Sequence, residues 1–169
     1  MAVVELLLPA LPSHVRTARL VVVAAGRRAG LVDGLVDELR LAVGEACARA
    51  VQLHARHAPD ERVRVVVTDD VLGLTVAVTD LGPAAGPTQD AERLFEGDGG
   101  ADLEDAGPDA SDPDVALALL TGLVDEVEVV PTADSTVAGT TATGTTVTMR
   151  WPLPARIPGG PSPSQVAPS

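Results

Sequence analysis

The spacing of apolar residues divides most of this chain into strands and helices. Short runs in which apolar residues alternate with polar ones, or follow one another, predict strands, and longer runs with three- and four-residue steps predict helices. The predicted strands are 3–8, 62–68, 72–80, 124–131 and 145–151. The predicted helices are 14–28, 32–57 and 113–123. Because the helices are apolar on one side only, the pattern predicts an α/β sandwich with three helices on one face of a mixed sheet.

The ends of these elements carry signals of their own. Ser13 stands where an N-cap is expected for the first helix, and Gly30 follows the last turn of that helix. Pro113 suits the first turn of the third helix. Between the last two strands, a run of Ser, Thr, Ala and Gly over 132–144 predicts a loop. The Pro-, Gly- and Ser-rich stretch 152–169 predicts a disordered tail.

The composition suits one globular domain with an aliphatic core. The chain has 169 residues, of which 46% are hydrophobic, and its mean hydropathy is +0.23. Phe95 and Trp151 are its only aromatic residues, so Val, Leu and Ala must fill the core. The single cysteine, Cys47, lies on an apolar helix face and is expected to be a small buried hydrophobe. His54 and His57 are expected to serve the end of their helix.

The charge restricts the classes of partner. The net charge is −12, which disfavours nucleic acid and anionic membrane surfaces. No apolar run reaches the roughly 18 residues of a membrane span, and the first residues lack the charged region of a signal peptide, so a cytoplasmic location is expected. Residues 89–114 carry ten acidic residues and one arginine, a net −9, which predicts a solvated, flexible loop.

Residues 39–51 carry the most specific motif, Leu-Arg-Leu-Ala-Val-Gly-Glu-Ala-Cys-Ala-Arg-Ala-Val. This run resembles the first helical motif of the anti-sigma-factor serine kinases, the small bacterial branch of the histidine-kinase/gyrase ATPase fold. That motif reads roughly L-x-x-A-x-x-E-A-x-x-N-A-V. Glu45 matches its acid, which the resemblance implies acts in phosphoryl transfer as a general base or orienting group. Arg49 stands at the asparagine that ligates the magnesium of ATP, and the chain contains no asparagine.

The resemblance extends along the chain and implies a fold. The order of the elements implies a two-layer Bergerat-type α/β sandwich with a mixed or antiparallel sheet over residues 1–151. The acidic segment 84–111 would then be the lid that closes over ATP. Both implications rest on the family likeness and not on the spacing of residues.

Two further motifs match the family in part. Asp80-Leu81-Gly82-Pro83-Ala84 resembles D-x-G-x-G, in which the aspartate accepts from the adenine amino group. The same residues are also typical of an ordinary turn at a strand end. Gly144-Thr145 resembles the last motif, in which the threonine hydroxyl reaches a phosphate or the water network of the aspartate. The residual ATP motif therefore consists of Asp80, Gly82, Gly144 and Thr145.

Several departures from the family oppose nucleotide binding. Asp114 and Ala116 stand at the two glycines of the phosphate-binding motif G-x-G-L, where one adds a negative charge and the other a Cβ. Arg49 cannot ligate a metal, because a guanidinium has no acceptor atom. An ion pair between Glu45 and Arg49, four residues apart on one helix, is expected. The alternative is that Arg49 replaces the charge of the metal against a phosphate.

These features predict an anti-sigma-factor-like regulator that acts by protein–protein binding, with ATP binding weak or lost and no cofactor. The alternative is an active kinase that uses Mg-ATP to phosphorylate a serine of an anti-sigma-factor antagonist. The partners that the resemblance implies are an alternative sigma factor, its antagonist and a second copy in a homodimer. Four arginines of the first helix form a basic patch for an acidic partner, or simply a solvated face. They are Arg16, Arg19, Arg27 and Arg28.

Overall fold

Five strands and three helices make up the described part of the protein. The computed structural model describes residues 2–71, 73–82, 113–137 and 140–153. The strands are β1 Ala2–Pro9, β2 Arg62–Asp69, β3 Leu74–Asp80, β4 Glu126–Val137 and β5 Thr140–Trp151. The helices are α1 Pro12–Ala29, α2 Asp33–His57 and α3 Pro113–Leu123. The predicted lid, 84–111, and residues 154–169 of the predicted tail lie outside the described residues.

The strands form one sheet in the order β1-β2-β3-β5-β4, and every neighbouring pair is antiparallel. Alternate residues of β2 and β3 are buried in a single core cluster with residues of all three helices. The residues between them, on the opposite face of the same strands, are more exposed. The prediction of an α/β sandwich with three helices on one face is therefore confirmed, and its sheet is antiparallel.

Helix α2 is the central element of the helical layer. It packs against α1 and α3 on either side and against β2 and β3 beneath it. Its apolar stripe, with residues at three- and four-residue steps, enters the core over most of its length. Two polar residues of α2, Arg49 and His54, are buried together with that stripe. None of the described helices is long and apolar enough to cross a membrane.

Helix α1 starts two residues before its predicted first residue and ends one residue after its predicted last residue. The helix starts at Pro12, and its N-cap is Leu11, which makes no side-chain cap, so the predicted N-cap at Ser13 is wrong. Proline has its φ preset for a helix and lacks the N–H that a cap would satisfy, which makes it suitable for the first turn. Gly30 ends the helix as predicted, with a φ of 98° that favours glycine and with its N–H donating to Arg27 O and Gly26 O.

The hairpin of β4 and β5 is longer than its sequence predicts. Most of the predicted loop 132–144 is paired strand, because β4 continues to Val137 and β5 starts at Thr140. The segment is rich in threonine, whose branched side chain favours strands. Together with the backbone hydrogen bonds between β4 and β5, this preference outweighs the tendency of its Gly and Ser residues to form a loop. The ladder has one irregularity, a register shift between Thr132 and Ser135.

We expect the core position Leu39 to govern stability far more than its neighbour on the opposite side of α2. Leu39 is fully buried, whereas Leu41 is exposed. Leu39→Ala should lower the free energy of unfolding by about 2–5 kcal/mol, because it leaves a cavity beneath α2. Leu41→Ala should change it by about 0.5 kcal/mol or less. Urea unfolding of both variants measures the difference, and equal losses would contradict the assigned orientation of α2.

Candidate functional site

A buried ion pair connects α2 to the end of β3. Arg49 Nη1 donates to Asp80 Oδ2 at 2.5 Å. The two residues are 3% and 1% exposed, respectively, so neither charge is solvated to any useful extent. In such a setting each group must be neutralised by the other, because removing one partner leaves an uncompensated charge in the core. The two residues that the motif resemblance assigned to the metal and to adenine therefore bind each other.

The remaining atoms of this pair are largely enclosed as well. Asp80 Oδ1 accepts a hydrogen bond from the Gly82 N–H at 3.0 Å, so both carboxylate oxygens have partners within the protein. Arg49 Nε is buried and has no hydrogen-bond partner among the described residues. A guanidinium has only donors, and here they face a carboxylate. Each Asp80 oxygen thus already accepts one hydrogen bond, and Arg49 offers no acceptor atom to a metal ion.

His54 holds the segment that follows Asp80. The Leu81 N–H donates to His54 Nε2 at 2.9 Å, and His54 Nδ1 lies 3.3 Å from Glu61 O. Because Nε2 accepts, the ring proton belongs on Nδ1, where it can donate to that carbonyl. The fully buried imidazole therefore ties the end of β3 to the last turn of α2. The sequence predicted only that His54 serves the end of its helix. Its partner Leu81 is 27 residues away, so no local sequence pattern indicates the hydrogen bond.

Both glycines of the residual ATP motif stand where the backbone is closely approached. A Cβ on Gly144 would collide with the carbonyl oxygen of Asp80, and a Cβ on Gly82 would lie 2.9 Å from Leu53 Cβ. Thr145 is buried and lies directly opposite Asp80 in the ladder between β3 and β5. The structure thus brings Gly82, Gly144 and Thr145 next to Asp80, whose carboxylate binds Arg49.

Glu45 lies one turn before Arg49 on α2 and does not pair with it. The half-buried carboxylate makes no hydrogen bond or ion pair with a described residue, so the expected Glu45–Arg49 ion pair is wrong. A helical pair at this spacing contributes only about 0.2–0.5 kcal/mol. Leaving Asp80 buried without a cation would cost about 3–5 kcal/mol. Arg49 accordingly turns toward Asp80.

Two other positions singled out by the sequence lie on the helices. Ala116 is buried on α3, whose first turn contains Asp114. Cys47 is buried on α2, and this burial raises the pKa of its thiol to about 12, against a smaller opposing effect of the Arg19 charge. The thiol is therefore protonated near neutral pH, and the expectation of a small buried hydrophobe is confirmed.

The fold and the arrangement of these motifs define a known class of domain. The sequence model of the histidine kinase-like ATPase domain matches residues 8–151, and the chain belongs to this family. Within it, the chain is 33% identical over 142 residues to the serine-protein kinase RsbW of Bacillus pumilus, a match that covers 81% of this chain and 83% of the relative. It is 30% identical over 151 residues to the RsbW proteins of Bacillus velezensis and Bacillus subtilis, at the same coverage. The resemblance inferred from the motifs is confirmed.

We predict strong energetic coupling between Arg49 and Asp80. Arg49→Met and Asp80→Asn should each lower the free energy of unfolding by about 3–5 kcal/mol, because each leaves a buried group without its partner. The double variant should lose less than the sum of the two single losses. Denaturant unfolding of all four proteins measures the coupling.

The surface pair formed by Arg64 Nε and Glu5 Oε1, 2.6 Å apart, provides the control for this measurement. Its residues are about half exposed, so the same cycle with Arg64→Met and Glu5→Gln should give a coupling of about 0–1 kcal/mol. A coupling of that size for Arg49 and Asp80 as well would show that the buried pair is not formed in solution.

Proposed function

We propose that this protein is an anti-sigma-factor-like regulator that acts by protein–protein binding and binds Mg-ATP weakly or not at all. The contact between Arg49 and Asp80 is the observation that carries this proposal. Arg49 and Asp80, which the family resemblance assigns to the metal and to adenine, bind each other. A nucleotide site closed by its own side chains leaves the outer surface of the domain to carry the function.

The chemistry of the pair disfavours Mg-ATP in two ways. Magnesium requires oxygen ligands in octahedral geometry, and Arg49 supplies a cation in place of one of them. An adenine amino group would have to compete for Asp80, whose two oxygens are already held by Arg49 and by the Gly82 N–H. Displacing Arg49 would leave its guanidinium buried without the carboxylate, beside an Nε that already lacks a partner among the described residues.

The exposed face of α1 supports a protein partner. This helix contains no acidic residue, and four of its arginines are exposed on a chain whose net charge is −12. A basic surface on an acidic protein attracts an acidic partner and raises the rate of association. The family likeness makes an alternative sigma factor or an anti-sigma-factor antagonist the partner we propose, with the protein acting as a homodimer. The four arginines are Arg16, Arg19, Arg27 and Arg28.

A second candidate function is the active serine kinase, and the state of Glu45 favours it. This carboxylate is retained at the position of the family's catalytic acid and makes no ion pair with a described residue, so it is free to act as a base. Gly82, Gly144 and Thr145 are retained as well. In that case the cofactor is Mg-ATP, and the substrate is a serine of the antagonist.

Nucleotide titration separates the two functions. We expect no micromolar binding of ATP by the unmodified protein, with or without magnesium, in isothermal titration calorimetry. The combination Arg49→Asn, Asp114→Gly and Ala116→Gly should bind Mg-ATP at least about tenfold more tightly, because it restores an oxygen ligand and the unblocked phosphate site. Adding Asp80→Ala to this variant should remove the gain. Micromolar binding of Mg-ATP by the unmodified protein would instead support the kinase.

Charge reversal on α1 tests the partner surface. Arg16→Glu with Arg27→Glu should reduce capture of a sigma factor or antagonist from the native cell by at least about tenfold, measured by quantitative mass spectrometry of pull-downs. Arg19 is left unchanged because its aliphatic stem packs over Gly44 on α2. The control, Arg56→Glu with Arg62→Glu, makes the same charge change at exposed positions outside α1. Equal losses in both variants would place the contact elsewhere.

A further inference from the structure

A cavity of about 530 Å³ lies on the face of the sheet opposite the helices. It is at the end of the sheet where β2 begins and β3 ends, since its lining residues Arg64 and Thr79 are partners in the ladder between these strands. Both belong to the alternating residues that point away from the core. The volume is within the range of about 300–1,000 Å³ that is typical of small-molecule sites. None of its described lining residues belongs to the residual ATP motif.

Three threonines on neighbouring strands form the floor of this cavity. Thr146 Oγ1 lies 3.0 Å from Thr79 Oγ1 and 2.9 Å from Thr132 Oγ1. Each hydroxyl has one proton to donate and two lone pairs to accept with. Two hydrogen bonds among three hydroxyls use two of the three protons, so one O–H and several lone pairs remain. The floor can therefore both donate to a ligand and accept from it.

Two arginines of β2 line one side of the cavity. Arg62 and Arg64 are two residues apart on the strand, so their side chains project from the same face. Arg64 Nε donates to Glu5 at 2.6 Å, which leaves the two terminal nitrogens of this guanidinium for other acceptors. Arg62 is exposed and makes no ion pair with a described residue. The two guanidinium groups thus offer several donors to a carboxylate.

Two carboxylates line the same cavity. Asp60 and Glu61 belong to the turn that precedes β2, and neither side chain makes an ion pair with a described residue. These acids would repel a simple anion, and the arginines would repel a simple cation. A ligand that carries both charges satisfies both sets of groups, since opposite charges then meet at each end.

The apolar part of the lining indicates what else the ligand contains. Leu7 of β1 and Leu81, which follows β3, both line the cavity. Leu7 is 54% exposed, so an apolar group placed against it would remove hydrocarbon surface from water. The cavity therefore combines donors for a carboxylate, acceptors for an ammonium group and a surface for a short hydrocarbon chain.

We propose that this cavity binds a free α-amino acid with an aliphatic side chain. Arg62, Arg64 and the threonine floor donate to the carboxylate of the ligand. Asp60 and Glu61 accept from its ammonium group, and the aliphatic side chain packs against the two leucines. This site lies on the face of the sheet away from α1, so its ligand is a second partner, different in kind from a sigma factor or an antagonist.

Calorimetric titration of the full chain tests the class of ligand. The probes are L-leucine, 4-methylpentanoate, which lacks the amino group, and 3-methylbutylamine, which lacks the carboxylate. We expect L-leucine to bind with a Kd of about 1 mM or tighter. Each analogue should bind at least about tenfold more weakly, because it leaves one set of charged groups without a partner. Equal binding of either analogue, or no saturable binding of L-leucine, would overturn the proposal.

Substitutions at the two charged sides of the cavity test its location. Arg62→Gln and Asp60→Asn should each weaken L-leucine binding at least about tenfold. Both residues are exposed and have no ion pair with a described residue, so the fold should be unaffected. The matched controls, Arg56→Gln and Asp125→Asn, make the same changes at exposed positions outside the cavity and should bind L-leucine as the unmodified protein does. Equal weakening in the controls would show a general effect of charge and overturn the site.

A threonine pair and the backbone amides provide an independent readout. Thr146→Val removes the central hydroxyl of the floor and should weaken binding at least about threefold. Thr148→Val, on the same face of β5 but outside the cavity, should not. In nuclear magnetic resonance spectra, L-leucine should shift the amide signals of Thr79 and Leu81 and leave that of Thr68, further along the same face, unchanged. Shifts confined to other parts of the chain would overturn the site, but they would leave the proposed capture of a sigma factor or antagonist in place.

Discussion

The buried ion pair between Arg49 and Asp80 is the constraint on which the site depends. Two charges that are almost fully removed from water are stable only as long as each neutralises the other, so the end of β3 and the middle of α2 are held at a defined distance. The hydrogen bond from Leu81 to His54 and the close contact of Gly82 with Leu53 fasten the next two residues to the same helix. These three connections enclose the motif segment within the protein.

This arrangement changes what the residual ATP motif does. Gly144 allows β5 to approach the carbonyl of Asp80, and Gly82 allows the turn to lie against α2, so both glycines are required for packing whether or not a nucleotide binds. The Asp80 carboxylate stabilises the arginine of its own chain. Such motif residues therefore have structural roles that do not require a ligand, and their presence alone does not establish an ATP site.

The described surfaces of the domain differ in charge. The exposed face of α1 is basic, the β4 edge is acidic, and the β1 edge is apolar, although the chain as a whole is strongly acidic. Each surface suits a different kind of contact, since opposite charges speed association and apolar strand edges pair with other strands.

The sequence by itself determined the elements and the family, because both depend on local patterns. Apolar periodicity located α1, α2 and the β2–β3 hairpin, and the motif around Glu45 was sufficient to identify the class of domain. Only the tertiary structure decided which group neutralises Arg49, since its partner lies 31 residues away and outweighs the weaker helical neighbour. The role of His54 and the pairing of most of 132–144 were decided in the same way, by contacts between segments that no local pattern records.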